Sequence, residues 1–179
     1  MTSVGWETFG WCKALTDITL PTSVISIGES AFEWCEALTE ITLPASVTSI
    51  GNRAFCNCQA LAKITLPDSV TYIGHDAFSG CEALTEITFS ASVVYIGNGA
   101  FRDCKSLTKI TLPASVGSID CNAFEGCESL TEITLPASVI FIGDGVFENC
   151  PSLEKIIIPR RTREKFEKLL SCGDKLVEQ

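Results

Sequence analysis

"LTEITLPASVTSIGNRAFCNC" runs from Leu38 to Cys58, and "LTEITLPASVIFIGDGVFENC" runs from Leu130 to Cys150. The two stretches differ at only six of 21 positions, and neither has an insertion relative to the other. Near-identical copies at a fixed spacing are typical of repeat proteins, in which one small structural unit packs on the next. The spacing between the copies therefore decides how the rest of the chain is interpreted.

The repeat extends through most of the chain without an insertion or deletion, at a step of 23 residues. Three residue types mark the register: Leu at 15, 38, 61, 84, 107, 130 and 153, Ile at 18, 41, 64, 87, 110, 133 and 156, and Phe at 9, 32, 55, 78, 101, 124 and 147. The unit reads L-x-x-I-x-L-P-x-S-V-x-x-I-G-x-x-A-F-x-x-C-x-x.

The spacing of apolar residues inside the unit predicts its local structure. Ile41 and Leu43 alternate with Glu40 and Thr42, which is the two-residue period of a strand with one buried side. Pro44 ends this strand because proline has no N–H to donate to a sheet. The next segment, "SVTSI", predicts a second short extended piece, and "AFCNC" predicts a short helical or 3₁₀ turn. We expect one continuous parallel sheet of about seven strands, each centred on the Ile of the 23-residue series.

A single 23-residue coil does not bury enough apolar surface to offset the conformational entropy that is lost when it becomes ordered. The missing stabilisation must come from stacking, because each coil then covers the apolar faces of its neighbours. The sequence therefore predicts a mainly β solenoid, in which each copy supplies part of the core of the next.

The unit resembles the BspA-like (Treponema-type) leucine-rich repeat family over about residues 3–158. The chain departs from the pattern where Ser90 replaces the strand-ending Pro, Asp120 replaces the turn Gly and Val146 replaces the Ala. The resemblance implies a curved, right-handed leucine-rich-repeat solenoid with its parallel sheet on the concave face and without catalysis. It also implies an adhesin-like surface role, in which members bind host matrix proteins or other cells.

The two ends of the chain differ. Residues 1–158 form the predicted repeat array, whose first unit is partial, and residues 159–179 form a predicted C-terminal cap with a short helix. Thr162 is a candidate N-cap for this helix, and Phe166, Leu169 and Leu170 follow at spacings that would cover the last coil. The sequence predicts no capping element before the first coil, so either this is the end piece of a longer array or the first coil exposes its core, and an uncapped end would allow end-to-end association.

Composition excludes several classes of function. The net charge of −9 argues against a nucleic-acid partner, because such binding depends on Lys and Arg. No apolar run approaches the ~18 residues of a membrane helix, so membrane insertion is not expected. The start, "MTSVGWETFG", does not read as a signal peptide. The resemblance favours the cell surface or secretion, whereas the many cysteines leave the cytoplasm open.

Seven of the ten cysteines share one column, for which we predict buried, reduced thiols that pack as small apolar groups. In-register side chains of parallel strands point the same way, so a disulfide between neighbours is not expected. Zinc would need convergent ligand pairs, and none is visible. The column cysteines are Cys12, Cys35, Cys58, Cys81, Cys104, Cys127 and Cys150, whereas Cys56, Cys121 and Cys172 lie outside it and are expected to be exposed.

The exposed side of the predicted strands carries two rows of polar residues. We define the charged row as Asp17, Glu40, Lys63, Glu86, Lys109, Glu132 and Lys155, and the threonine row as Thr19, Thr42, Thr65, Thr88, Thr111 and Thr134. From Glu40 onward the charge alternates in sign, which predicts attraction between neighbouring coils. The rows are therefore either structural or a protein-binding surface, whose candidate residues are Glu40, Thr42, Lys63, Thr65, Glu86, Thr88, Lys109 and Thr111.

Aromatic departures from the repeat are the other candidate site. Tyr72 and Tyr95 occupy equivalent positions in adjacent coils, where most other coils carry Ser, and should form a pair. Tyrosine is favoured at protein interfaces, although packing of the two rings against each other is an equally good explanation. Trp11 and Trp34 form a similar pair near the N-terminal end.

The sequence predicts no enzyme and no cofactor. His75 is the only histidine, and general acid–base catalysis would need a partner positioned beside it. Neither a Gly-rich phosphate loop nor a nucleophile-elbow motif is present. The sequence therefore favours a non-catalytic protein-binding module, adhesin-like or interacting with other proteins. The alternative is a structural spacer without a specific ligand.

Overall fold

The structure, a computed structural model, describes residues 2–170 and 173–179. The chain winds into a β-solenoid of about eight turns, which confirms the predicted leucine-rich-repeat architecture. In chain order the strands are β1 (Ser3–Val4), β2 (Ser26–Ile27), β3 (Ser49–Ile50), β4 (Lys63–Thr65), β5 (Tyr72–Ile73), β6 (Glu86–Thr88), β7 (Tyr95–Ile96), β8 (Lys109–Thr111), β9 (Ser118–Ile119), β10 (Glu132–Thr134), β11 (Phe141–Ile142), β12 (Lys155–Ile158) and β13 (Leu176–Glu178).

Seven of these strands form one parallel sheet, in the order β1-β2-β3-β5-β7-β9-β11, which we call the long sheet. The number and direction of its strands are as predicted, but its position in the repeat is not. The long sheet is built from the "SVTSI" segment, and the Ile series forms two shorter sheets, β4-β6 and β13-β12-β10-β8. In the first two coils the Ile series is reduced to a single bridge between Thr19 and Thr42.

Close backbone approach explains why the long sheet is continuous. Each of its strands is followed by a glycine or, in one coil, by Asp120. At Gly97 an added Cβ would lie 2.6 Å from the carbonyl carbon of Gly74, which is far inside van der Waals contact. Adjacent coils are therefore packed directly backbone to backbone beside the long sheet. The Ile series has no such glycine, and its strands form two shorter sheets instead of one continuous sheet.

Identical side chains of successive coils stack in the core. The rings of Phe55 and Phe78 lie 5.3 Å apart with an angle of 2° between their planes, and the same stacking continues along the phenylalanine column. Leu, Ile, Val and Ala columns surround these rings, and most of their side chains are fully buried. Side chains from the long sheet and from the shorter sheets belong to one continuous hydrophobic core. The apolar positions of the repeat thus have the core role that their spacing predicts.

The thiol groups of the cysteine column donate hydrogen bonds. The Sγ of Cys58 donates to the backbone carbonyl of Phe32 in the preceding coil over 3.1 Å, and Cys81 donates to Phe55 over 3.2 Å. Burial raises the pKa of the Cys35 thiol to about 11 and raises that of Cys81 well above its usual value. These thiols therefore stay protonated at neutral pH, as their role as donors requires.

Burial differs from the prediction at two cysteines. Cys12 is exposed, because among the described residues no coil packs on the outer side of the first one. Cys56 lies outside the column but is buried, and the amide Nδ2 of Asn57 lies 3.4 Å from its sulfur. Cys121 is half-buried, and Cys172 lies outside the described residues. The cysteines within the described residues are all free thiols.

The C-terminal cap combines a helix with a strand that the sequence did not predict. Helix α1 spans Arg163–Leu169 and buries Phe166 as expected, but the Thr162 side chain does not cap it. Instead a carboxylate oxygen of Glu178 accepts hydrogen bonds from the N–H groups of Thr162 and Arg163, each 3.1 Å long. Glu178 ends β13, which pairs with β12 and extends the shorter sheet by one strand. No helix within the described residues is long and apolar enough to cross a bilayer.

Truncation of a core leucine should cost more in the middle of the array than at its N-terminal end. Leu84 is fully buried between two coils, whereas Leu15 is half-buried in the first coil. We expect Leu84→Ala to lower the free energy of unfolding by about 2–5 kcal/mol and Leu15→Ala to lower it clearly less. Denaturant titration of both variants followed by circular dichroism measures the difference. Equal losses would show that the first coil is as well packed as the fourth.

Thiol alkylation should distinguish the cysteines by their burial. In the native protein we expect Cys12 to react first and Cys121 more slowly, while Cys56 and the buried column thiols react only after unfolding. Mass spectrometry of proteolytic peptides locates each adduct, and a Cys172→Ser variant removes the reaction of that cysteine from the total rate. Rapid native labelling of Cys58 or Cys81 would contradict the packing described above.

Candidate functional site

The residues predicted from sequence as a binding surface lie on different sheets. The candidate members of the charged row and of the threonine row are exposed on the strands of the Ile series and on the segment around Ile41. Tyr72 and Tyr95 begin β5 and β7 of the long sheet. The structure thus presents two separate candidate surfaces.

In the charged row, ion pairs form between residues on paired strands of the shorter sheets. Lys63 and Glu86, on the paired strands β4 and β6, approach to 3.2 Å, and Lys109 and Glu132, on β8 and β10, to 3.9 Å. Among the described residues no ion pair joins Glu40 to its neighbours in the row. Exposed pairs of this kind contribute about 0–1 kcal/mol each, so the row adds little to stability.

An open groove accompanies the rows at the N-terminal end. It has a volume of about 610 Å³ and lies between the first two coils, where only one bridge joins the strands. Asp17, Thr19, Glu40 and Thr42 are among its lining residues. The groove carries both hydroxyl and carboxylate groups but lacks a buried polar group that would orient a small ligand.

The predicted tyrosine pair is present. The rings of Tyr72 and Tyr95 lie 5.1 Å apart with an angle of 8° between their planes, as expected for equivalent residues of hydrogen-bonded parallel strands. Tyr72 is 37% exposed and Tyr95 is partly buried. Part of each ring thus remains accessible after the two rings have stacked, and this part is available for contact with a partner.

Tyr95 is held in place at its hydroxyl group. The hydroxyl donates a 2.7 Å hydrogen bond to Asp120 of the next coil, and this bond lowers the pKa of the Asp120 carboxyl. The edge of the His75 ring packs on the Tyr95 ring at 6.3 Å between centroids. His75 is itself fixed, because its Nδ1 accepts a 3.0 Å hydrogen bond from the N–H of Asn98. Tyr95 is thus a rigid aromatic group at the protein surface.

Further apolar side chains are exposed close to the tyrosines. Val94 is 50% exposed, Ile140 73% and Phe141 48%, and all three lie in or beside the long sheet. Together with Tyr72 and Tyr95 they form what we call the apolar patch. The sequence signal for these residues was present, since other coils carry Ser, Thr or Gly at most of the equivalent positions. The structure shows that all five lie in, or directly before, the strands β5, β7 and β11 of the long sheet.

A second aromatic cluster lies at the N-terminal end. Trp11 and Trp34 stack at 5.2 Å, and the Nζ of Lys13 lies 5.9 Å and 5.7 Å from their ring centroids. The same lysine pairs with Glu36 at 2.6 Å. Lys13 already supplies a cation to these two rings, so the tryptophan pair serves as a comparison for the tyrosine pair.

Metal binding has no support in the side-chain arrangement. Within residues 2–170 and 173–179, no group of three or more His, Cys, Asp or Glu side chains is placed to hold a metal ion. The chemistry that the apolar patch offers is therefore contact with aromatic and apolar groups, supplemented by the charge of Asp120.

Comparison with known proteins assigns this architecture to a family. The profile of the BspA type leucine rich repeat region matches residues 2–116 and 94–176, with 6 copies in all. The leucine-rich repeat protein of T. pallidum is 33% identical, superposes with a TM-score of 0.78, and the match covers 86% of this chain and 83% of that one. No curated protein sequence matches this chain significantly.

A leucine-rich cell surface protein of Faecalibacterium prausnitzii is 32% identical, with a TM-score of 0.70 over 87% of this chain. A leucine-rich repeat protein of Bacteroides ovatus is 26% identical, with a TM-score of 0.56 over 99% of this chain. The match spans 51% of the Faecalibacterium protein and 63% of the Bacteroides protein. With the profile matched along nearly its whole length, this chain belongs to the BspA-type leucine-rich repeat family.

Proposed function

We propose that this chain is a non-catalytic protein-binding module of a bacterial surface protein, and that it engages its partner through the apolar patch. The observation that carries the proposal is the clustering of exposed departures from the repeat on one sheet. Tyr72, Val94, Tyr95, Ile140 and Phe141 are accessible on three of the four neighbouring coils that contain β5, β7, β9 and β11 of the long sheet. Contiguous exposed apolar groups of this kind mark interaction sites.

Rigidity of the patch favours affinity. Ordering a side chain on binding costs about 0.5–1.5 kcal/mol, and a residue that is already held avoids most of this cost. Tyr95 is fixed by Asp120 and His75, and Tyr72 by its stacking on Tyr95. The coils otherwise offer a partner nearly identical rows, so the patch also helps to distinguish one register along the long sheet from another.

An adhesin-like role on the cell surface is the biological setting that we propose. The Faecalibacterium protein with the same fold is described as a cell surface protein. The net charge of −9 would favour a basic or neutral protein partner and make its association rate depend on salt. A spacer array without a ligand is the alternative, and it would not require an exposed apolar patch.

The state of the only histidine supports a role without catalysis. The Nδ1 of His75 accepts a hydrogen bond from the backbone of Asn98, and its ring edge contacts Tyr95. General acid–base catalysis needs a ring nitrogen in reach of a substrate and a partner that orients the ring. Here the ring has a structural role, as a support for the tyrosine pair.

Loss of the tyrosine pair should abolish most of the binding to a protein partner. We expect Tyr72→Ala/Tyr95→Ala to weaken binding at least tenfold, since aromatic anchors commonly contribute about 2 kcal/mol or more each. Surface plasmon resonance with immobilised matrix proteins, and adhesion to cultured host cells, measure the loss.

The matched control is Trp11→Ala/Trp34→Ala, which removes the other stacked aromatic pair and should leave binding within about twofold of the wild type. Thermal unfolding of both double variants checks that they fold. Undiminished binding of the tyrosine variant would remove the apolar patch from the site and favour the charged and threonine rows. A wild-type protein that binds none of the matrix proteins or cells would favour the spacer.

A further inference from the structure

The aromatic column on the long sheet has a gap. Tyr72 and Tyr95 stack at the start of β5 and β7, and Phe141 occupies the equivalent position of β11. Between Tyr95 and Phe141 the strand β9 begins with Ser118, which is in register with both aromatic residues. A serine thus separates the partly buried Tyr95 from the exposed Phe141, two aromatic side chains that would otherwise continue one stack.

The gap has the width of one planar group. Neighbouring parallel strands lie about 4.8 Å apart, so the positions of Tyr95 and Phe141 are separated by about 9.6 Å. The Tyr72–Tyr95 stack uses 5.1 Å per coil. A single flat group above Ser118 would therefore lie at stacking distance from both neighbours.

The floor and one end of the gap are open. Ser118 is half-buried and has only a short side chain, and Gly117 precedes it without any side chain. A Cβ added at Gly117 would meet only the carbonyl oxygen of Val94, at 3.9 Å. The β9 coil thus carries only small residues at the positions where the adjacent coils carry Val94–Tyr95 and Ile140–Phe141.

The other end of the gap is negatively charged. Asp120 follows β9, and the hydrogen bond from Tyr95 lowers the pKa of its carboxyl, which is therefore ionised at neutral pH. Asp144, in the next coil, is exposed. Tyr72 and His75 face Tyr95 from the preceding coil, and His75 also contributes to lowering the pKa of the Asp120 carboxyl.

Within residues 72–144, no Lys or Arg side chain forms an ion pair with Asp120. Arg102 lies 3.1 Å from Asp76, in an ion pair without hydrogen-bond geometry. Lys105 lies 2.9 Å from Glu82. Lys109 pairs with Glu132. These three are the Lys and Arg residues of that stretch. The gap therefore combines two aromatic walls with a carboxylate end, which accepts hydrogen bonds from the Tyr95 hydroxyl and the Cys121 N–H but pairs with no Lys or Arg of that stretch.

We propose that the gap above Ser118 is a binding slot for an arginine side chain of a protein partner. The guanidinium group stacks between Tyr95 and Phe141, and its charge faces Asp120. This inference rests on the proposed protein-binding function and specifies the chemistry of the residue that the partner inserts. We call this site the arginine slot.

Arginine fits the slot better than the other flat or cationic side chains. Its guanidinium is planar, always charged and able to stack on aromatic faces while donating to a carboxylate. Lysine carries a compact ammonium group that cannot fill a flat gap. A neutral aromatic ring in the slot would cover the Asp120 carboxylate without pairing its charge. Burial of a charge without an ionic partner is unfavourable.

Peptide titration monitored by NMR tests the assignment. The probe is the capped peptide acetyl-Gly-Arg-Gly-amide, compared with counterparts in which Arg is replaced by citrulline, Lys or Tyr. Citrulline keeps the planar shape and removes the charge. We expect the arginine peptide to shift the signals of Tyr95, Ser118 and Phe141 saturably, with at least about threefold tighter binding than each of the other three peptides.

A filled slot should lose this binding. Ser118→Tyr inserts the missing ring, and we expect it to weaken binding of the arginine peptide about fivefold, the size of an exposed cation–π contact. Ser26→Tyr is the matched control, because it makes the same change on β2, where Ser3 and Ser49 are the register neighbours, and should leave binding unchanged. Thermal unfolding of both variants confirms folding before the comparison is made.

Three results would overturn the arginine slot: unchanged binding by Ser118→Tyr, tighter binding of the tyrosine peptide, or equal binding of citrulline and arginine. The tyrosine-pair experiment on whole protein partners is independent of these outcomes. If Tyr72→Ala/Tyr95→Ala loses its partner while Ser118→Tyr keeps it, the binding function stands and the slot fails. If neither variant loses any binding, both proposals fail.

Discussion

Each coil of this protein completes its hydrogen bonds with the adjacent coil, at a sequence separation of 22 to 26 residues. Backbone groups do so in the sheets, the column thiols donate to carbonyl groups of the phenylalanine column, and Ser138 of the "PxSV" motif donates to Val116. Because unpaired buried polar groups are costly, an insertion of one residue would disrupt every contact between two coils. The uninterrupted 23-residue register is a consequence of this dependence.

The same dependence explains why departures from the repeat are informative. A residue that replaces a consensus residue must be accommodated by two neighbouring coils, so exchange is easiest where the side chain points into solvent. Asp120 is the instructive case, since it stands in the crowded glycine position and its carboxylate binds the hydroxyl of Tyr95. Ser90 likewise takes the place of the strand-ending proline, and its buried hydroxyl donates to the carbonyl of Val70. The candidate site and the irregular coils therefore coincide.

Periodicity was sufficient to predict the coils, the core columns and the tyrosine pair, because these depend only on equivalent positions in successive repeats. It was not sufficient to decide which extended segment forms the continuous sheet. Ile41 and Ile50 both point inward with the same period, and the difference lies in backbone approach at residues such as Gly97. Contacts outside the period were also missed, including the Glu178 helix cap and the Tyr95–Asp120 bond. Glu178 lies outside the repeat array, and the Tyr95–Asp120 bond joins two residues that depart from the repeat, so the repeat unit predicts neither contact.

Stacking by nearest neighbours also determines how the protein would respond to mechanical load. A terminal coil is held by one neighbour only, so tension along the array would peel coils from an end one at a time and leave the remaining stack intact. Each 23-residue coil that detaches would lengthen the chain by about 80 Å, given roughly 3.3–3.6 Å per extended residue. An array of this kind is thus an extensible tether, in which stepwise loss of coils limits the force that reaches whatever is attached to it.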